Sequence, residues 1–176
     1  MRRLIVVLGC AALLLGTAAC KPRDRIKTEP TEEAPAQLAS VIYMADPKAS
    51  VQLLRGFHAV EGNAWRWTTG RFAVTLRPPA TAGQRGATLK ARFALPDAVT
   101  NKVGSVTIFA NVNGAALPAE RYSRSGDHTY ARDVPASVLA ADAVTCEFVL
   151  DKFLPAGAVD QRELGVVMSS IGLEPR

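Results

Sequence analysis

The fold this sequence predicts is all-β: an antiparallel sandwich of about seven to nine strands with one or two short helical turns. Three observations predict it. Apolar residues recur with period two in stretch after stretch beyond residue 41, the signature of strands with one buried face. Turn chemistry separates these stretches at short intervals. No segment of the mature chain sustains the 3.6-residue period of a long amphipathic helix.

The elements follow in order. Residues 41–45 and 51–57 read as short or weak strands. A piece at 65–68 precedes "RFAVTLR", where Phe72, Val74 and Leu76 point one way and Arg71, Thr75 and Arg77 the other. "RPPATAGQRG" at 77–86 reads as a loop. In "TLKARFAL" the apolar set is Leu89, Ala91, Phe93 and Leu95, opposite Thr88, Lys90 and Arg92. Pro96 to Lys102 is a candidate helical turn. "SVTIFANV" sets Val106, Ile108, Ala110 and Val112 on one face, and Asn113-Gly114 then suits a type I′ hairpin into a piece at 115–117. A weak strand at 128–134 follows the turn at Gly126-Asp127, and Pro135 to Ala141 is a second helical turn. "VTCEFVL" buries Val144, Cys146, Phe148 and Leu150; "LPAGA" is a loop; and "LGVVMSSIGL" at 164–173, apolar on both faces, reads as a central strand.

The N-terminus carries an address. Arg2 and Arg3 form a positive region, Leu4 to Gly16 is apolar but too short to span a bilayer, and Thr17, Ala18 and Ala19 lead to Cys20. This run resembles a bacterial lipobox, with threonine where leucine is usual. The resemblance implies cleavage before Cys20, a diacylated Cys20 thiol and an acylated new N-terminus. Alternatives are "VLGC" ending at Cys10, an ordinary secretory signal cleaved after Ala19, and an uncleaved anchor. Several acyl chains suffice for stable attachment, since each buried CH₂ contributes about 0.8 kcal/mol. Lys21, where aspartate marks inner-membrane retention, favours the outer membrane if the cell is Gram-negative. The domain reading is therefore signal 1–19, lipidated cysteine and disordered tether 20–40, and sandwich 41–176. The tether holds Pro22, Pro30 and Pro35, many charges and little to bury, and twenty coil residues span roughly 25 Å.

Composition excludes several functions. With Cys10 removed and Cys20 acylated, Cys146 alone remains, so no internal disulfide or cysteine metal site is expected. Cys146 itself reads as a buried small hydrophobe. Removing Arg2 and Arg3 from the 21 basic residues leaves 19 against 16 acidic ones, too mild a balance for a nucleic-acid binder. His58 and His128 lack metal-ligand spacing, and no nucleophile, zincin, phosphate-loop or cofactor motif occurs. The chain is read as non-catalytic.

Two separated stretches carry a resemblance. "GFHAVEGNAWRWTTGRFAVTL" and "LPAGAVDQRELGVVMSSIGL", through Gly56, Phe57, Glu61, Arg66, Trp67, Thr68, Asp160, Arg162, Leu164 and Gly165, resemble a bacterial jelly-roll module similar to carbohydrate-binding modules. Such modules accompany glycosyltransferases and envelope polysaccharide proteins. The resemblance spans about residues 51–174 and implies a jelly-roll sandwich. No catalytic domain is attached here.

Three constellations are candidate sites. Trp65 and Trp67 share a face in an extended strand, with Arg66 opposite. The leading reading is packing, with Trp67 in or near the core and Trp65 partly exposed; a sugar-stacking platform and a protein interface are the alternatives. Glu61 and Arg162 are expected to meet, with Asp160 or Arg66 joining, as a structural clasp or as hydroxyl readers. Arg71, Arg77, Lys90 and Arg92 face outward on two strands expected to pair. They form either a basic stripe for anionic glycan or lipid headgroups, or a solvated face that discourages edge aggregation. The whole predicts a lipid-anchored envelope module contacting glycan or a glycan-assembly partner. The alternative is an interaction lipoprotein that docks another envelope protein.

Overall fold

A computed structural model describes residues 37–157 and 160–176. The signal segment, Cys20 and most of the expected tether lie outside the described residues.

Nine strands form among the described residues: β1 (Val41–Tyr43), β2 (Leu53–Glu61), β3 (Trp65–Leu76), β4 (Ala87–Leu95), β5 (Val106–Val112), β6 (Ala115–Tyr122), β7 (Gly126–Val134), β8 (Val144–Leu150) and β9 (Val167–Pro175). Every pairing is antiparallel. The hydrogen-bonded order is β6-β5-β8-β3-β9-β4-β7, with β2 on the other side of β3 and β1 beside β9. Strand β3 explains how one path makes two layers. Arg66 and Trp67 pair with β9, whereas Arg71 to Leu76 pair with β8. At the switch lies Gly70, where a Cβ would stand 2.3 Å from the Phe153 ring. The layers β2-β3-β8-β5-β6 and β9-β4-β7 then face each other through aromatic contacts. Tyr130 meets Phe148 at 6.4 Å between centroids, and Phe93 meets Tyr122 at 5.0 Å.

Period two did set the interior. On β4, Leu89, Ala91, Phe93 and Leu95 are buried; on β5, Val106, Ile108, Ala110 and Val112; on β8, Val144, Cys146, Phe148 and Leu150. Burying each large apolar side chain contributes about 1.5–3 kcal/mol. The last strand is central as expected, held by β4 on one side and by β1 and β3 on the other. It begins at Val167 rather than 164, because Leu164 bridges back to Leu154. Ala73 breaks the alternation on β3: it is fully buried beneath the Arg55–Glu147 ion pair, whose two residues flank it across the sheet.

Asn113 (φ 46°) and Gly114 (φ 84°) both occupy the left-handed region that a type I′ hairpin needs. The first helical turn is α2 (Asp97–Val103), and the second shrinks to a 3-10 turn at Ala136–Val138. Two further turns were not expected. Helix α1 (Ala82–Arg85) sits inside the predicted loop. A 3-10 turn at Pro47–Gln52 is started by Asp46, whose carboxylate accepts the Lys48 N–H at 2.8 Å. That turn delivers buried Gln52, which accepts the Ala39 N–H at 2.9 Å and donates to Ala39 O at 3.0 Å and to Thr75 O at 2.8 Å. The chain therefore already joins the sandwich at Ala39.

Candidate functional site

Two distant segments close on each other. Turn residues Gly62 (φ 57°) and Asn63 (φ 52°) join β2 to β3. Glu61, at the end of β2, accepts from Arg162 Nη1 at 2.6 Å. The same guanidinium grips Asp160 in bidentate fashion, Nε to Oδ1 at 3.0 Å and Nη2 to Oδ2 at 2.9 Å. These bonds hold the Asp160 carboxyl down at about 2 and raise the Arg162 pKa. All three side chains are about one-third exposed. Glu163 carries the seam onward, its Oε1 accepting the Gly70 N–H at 2.7 Å and its carbonyl accepting from His58 Nε2 at 2.7 Å. Thr68 finishes it. Its backbone pairs with Gly165 and Val166, and its Oγ1 accepts the Val166 N–H at 3.1 Å.

Arg66 does not join this cluster. It donates to Met44 O at 3.1 Å and to His58 O at 3.0 Å, fastening β3 to the end of β1 and to β2. Trp65 and Trp67 meet edge to face at 6.4 Å, both half-buried, with Trp67 packed against the core.

Beside Trp65 runs an open trough of about 430 Å³. Its lining includes Trp65 of β3, Val167 and Ser169 of β9, Arg92 of β4, and Asp127 and Thr129 of β7. Register fixes the face. Val167 is opposite both Trp67 and Ala94, and Ala94 is opposite Asp127. The next row inward holds buried Met168 and Phe93, so the trough lies on the outer face of this layer. Ser169, extra at a bulge in β9, donates to Arg92 O at 2.9 Å and steadies the floor. The trough is thus lined by an indole together with residues that carry a guanidinium, a carboxylate and hydroxyls.

The basic stripe does not form as expected, because its premise of paired strands fails: β9 lies between β3 and β4. Arg71 stands where β3 pairs with β8, in the other layer. Arg77 lies beyond β3 in a separate depression of about 490 Å³, with Leu38, Ser40 and Asp142. Lys90 is tied to Glu174. Arg92 alone of the four reaches the trough.

Cys146 is fully buried, and burial pushes its thiol up to about 12. Among the described residues no group of three or more histidine, cysteine or acidic side chains is placed to hold a metal. Sequence reasoning missed Asp127 and Thr129, which lie outside the two motif stretches, and Ser169, which lies within the second stretch but is not one of its matching positions. The outward set of β7 was readable from the buried Tyr130 and Val134, but the neighbour of β7 was not.

No protein-family model matches the chain, and no curated protein matches it. Two similar solved structures are carbohydrate-binding modules. One is the CBM36-1 domain of a multidomain xylanase from the hindgut metagenome of Trinervitermes trinervoides, at 11% identity, covering 75% of this chain and 94% of that chain with a TM-score of 0.40. The other is TmCBM27, a module with specific mannan recognition, at 10% identity, covering 79% and 97% with a TM-score of 0.46. The fold is defined by this chain's own strand pairing.

Proposed function

We propose that this chain is a lipid-anchored, non-catalytic binding module of the cell envelope whose trough takes glycan. The observation that carries the reading is the trough itself. A half-buried indole borders an open groove that is also lined by Arg92, Asp127, Thr129 and Ser169, the residue mix that a hydroxyl-rich ligand with apolar ring faces requires. The Thr-Ala-Ala-Cys run ending at Cys20 supports the anchor. A glycan array probed with the full chain in detergent and with Trp65→Ala tests the trough. Specific signals that Trp65→Ala abolishes are expected; a blank array, or signals untouched by the substitution, refutes the reading. Fatty-acid labelling of wild type and Cys20→Ser tests the anchor, and equal labelling of both refutes it.

A second reading is docking of another envelope protein without sugar affinity. It is favoured by β2, which bonds only to β3 among the described strands. Val51, Leu54 and Val60 are exposed along that segment, and an open edge with apolar side chains is a template for strand addition. A crosslinked partner lost on Leu54→Lys, with a blank glycan array, would favour this reading.

A further inference from the structure

Tyr43 stands next to the trough and is 59% exposed. Its partner on β9 is Ser170, and the partner of Ser170 on β4 is Arg92, itself opposite Thr129 of β7. One row of the outer face therefore reads Tyr43, Ser170, Arg92, Thr129. The Arg66 bond to Met44 O brings the end of β1 against the start of β3. Tyr43 and Trp65, each one residue from that bond, thus follow one another along the same edge of β9. Two aromatic plates border one side of the face. A guanidinium stands about two strand spacings, roughly 10 Å, across it.

Charge is unevenly spread over this face. Among the described residues the Arg92 guanidinium has no ion-pair partner. Asp127 belongs to the neighbouring row, beside Ala94 and Val167, about 7 Å further along the strands. The Tyr43 end is therefore positive and the Trp67 end negative. An exposed guanidinium presents a planar fork that matches a carboxylate bidentately.

We infer that the trough takes an acidic glycan, a chain containing uronic-acid residues, with a sugar carboxylate gripped by Arg92 and successive rings stacked on Trp65 and Tyr43. Asp127 accepts sugar hydroxyls at the opposite end, which orients the chain. The inference rests on the trough being a glycan site and adds the class of sugar.

The test uses the full chain in detergent, titrated calorimetrically with polygalacturonate, with the same polymer methyl-esterified, and with neutral mannan. The variants are Arg92→Gln, Arg71→Gln, Tyr43→Ala and Trp65→Ala, each checked for a wild-type melting curve. Hydrogen bonds to charged groups contribute about 1.5–3 kcal/mol, so esterification and Arg92→Gln are each expected to weaken binding about tenfold or more. Arg71→Gln removes the same charge from the other layer and is expected to change little, which separates site recognition from attraction to a polyanion. Tyr43→Ala is expected to weaken the polymer. Esterified and acidic polymer binding alike, or Arg71→Gln matching Arg92→Gln, would overturn the acidic class while leaving a glycan site. No binding of any of the three polymers overturns both.

Discussion

Gly165→Ala tests whether the seam between the β2–β3 hairpin and residues 160–166 holds the wall of the trough. The constraint at Gly165 is space. An added Cβ would stand 2.6 Å from Leu150 Cδ1, 2.7 Å from Thr68 Oγ1 and 2.8 Å from Thr69 O. The Leu150 methyl can rotate away. The Thr69 carbonyl is backbone, and Thr68 Oγ1 is fixed as acceptor of the Val166 N–H. Relief must come from separating residues 165–166 from β3. That lengthens Gly165 N–H to Thr68 O (2.7 Å) and Thr68 N–H to Val166 O (2.9 Å). Overpacking costs about 1–3 kcal/mol, and each weakened bond up to about 1 kcal/mol. Because the overpacking range already includes the backbone shift, a loss of about 2–3 kcal/mol is expected, and at about 3–4 °C per kcal/mol for a domain of this size the melting temperature falls by roughly 6–12 °C. Circular dichroism melts of the full chain in detergent read this directly. Gly114→Ala is the control: its Cβ meets nothing within 4 Å, but φ is 84°, so it carries only the left-handed penalty of about 1–2 kcal/mol. Gly165→Ala melting within about 3 °C of wild type, or above Gly114→Ala, would refute the reasoning.

Three other perturbations probe different parts of the body. Gln52→Leu removes three hydrogen bonds and strands the Ala39 N–H and the Thr75 carbonyl; a loss of about 2–4 kcal/mol is expected, with amide exchange at Ala39 accelerating more than exchange within β4, and unchanged exchange at Ala39 counts against it. Acid should weaken the seam: the Asp160 carboxyl is held at about 2 by the Arg162 guanidinium against about 3.9 in the unfolded chain. Its contribution is therefore present above about pH 4 and lost as pH falls toward 2, so denaturant midpoints should fall more steeply over that window for wild type than for Asp160→Asn. The Cys146 thiol, buried and pushed up to about 12, should resist maleimide at neutral pH until the chain unfolds, and rapid native labelling would contradict its burial.

Period two told which side of each strand faces inward, because burial of one face is a property of the strand itself. It correctly separated Phe93 from Arg92 and Phe148 from Glu147, and it put Trp65 and Trp67 on one face. Which strands are neighbours is a property of chain topology, and there the basic residues were misplaced: Arg71 and Arg92 share a pattern but belong to different layers. Strand β3 was the hidden element, since a single run changing partner at Gly70 looks like two short strands or one long one. The 3-10 turn before β2 left a readable sign in Asp46-Pro47, an N-cap followed by proline, although the buried role of Gln52 had none. Tyr43 was legible in outline, as the residue between buried Ile42 and Met44.

The motif residues and the trough residues divide in a way that bears on inference from sequence. Gly56 comes within 2.2 Å of Arg71 O at the position of a Cβ, and Glu61, Asp160, Arg162, Thr68 and Gly165 bond or pack across the seam. Each has a structural task in joining the hairpin that ends at Trp65 to residues 160–166. Arg92, Asp127, Thr129 and Tyr43, which would meet a ligand, lie outside both motifs on strands whose outer faces tolerate many residues. A second chain with the same motif would therefore share the seam and the placement of the trough. What it binds would follow from the residues at the positions of Tyr43, Arg92 and Asp127. Under the proposed glycan reading, exchanging those side chains while keeping the seam should change which polymer binds in calorimetric titration and shift stability by no more than about 0.5 kcal/mol per surface site.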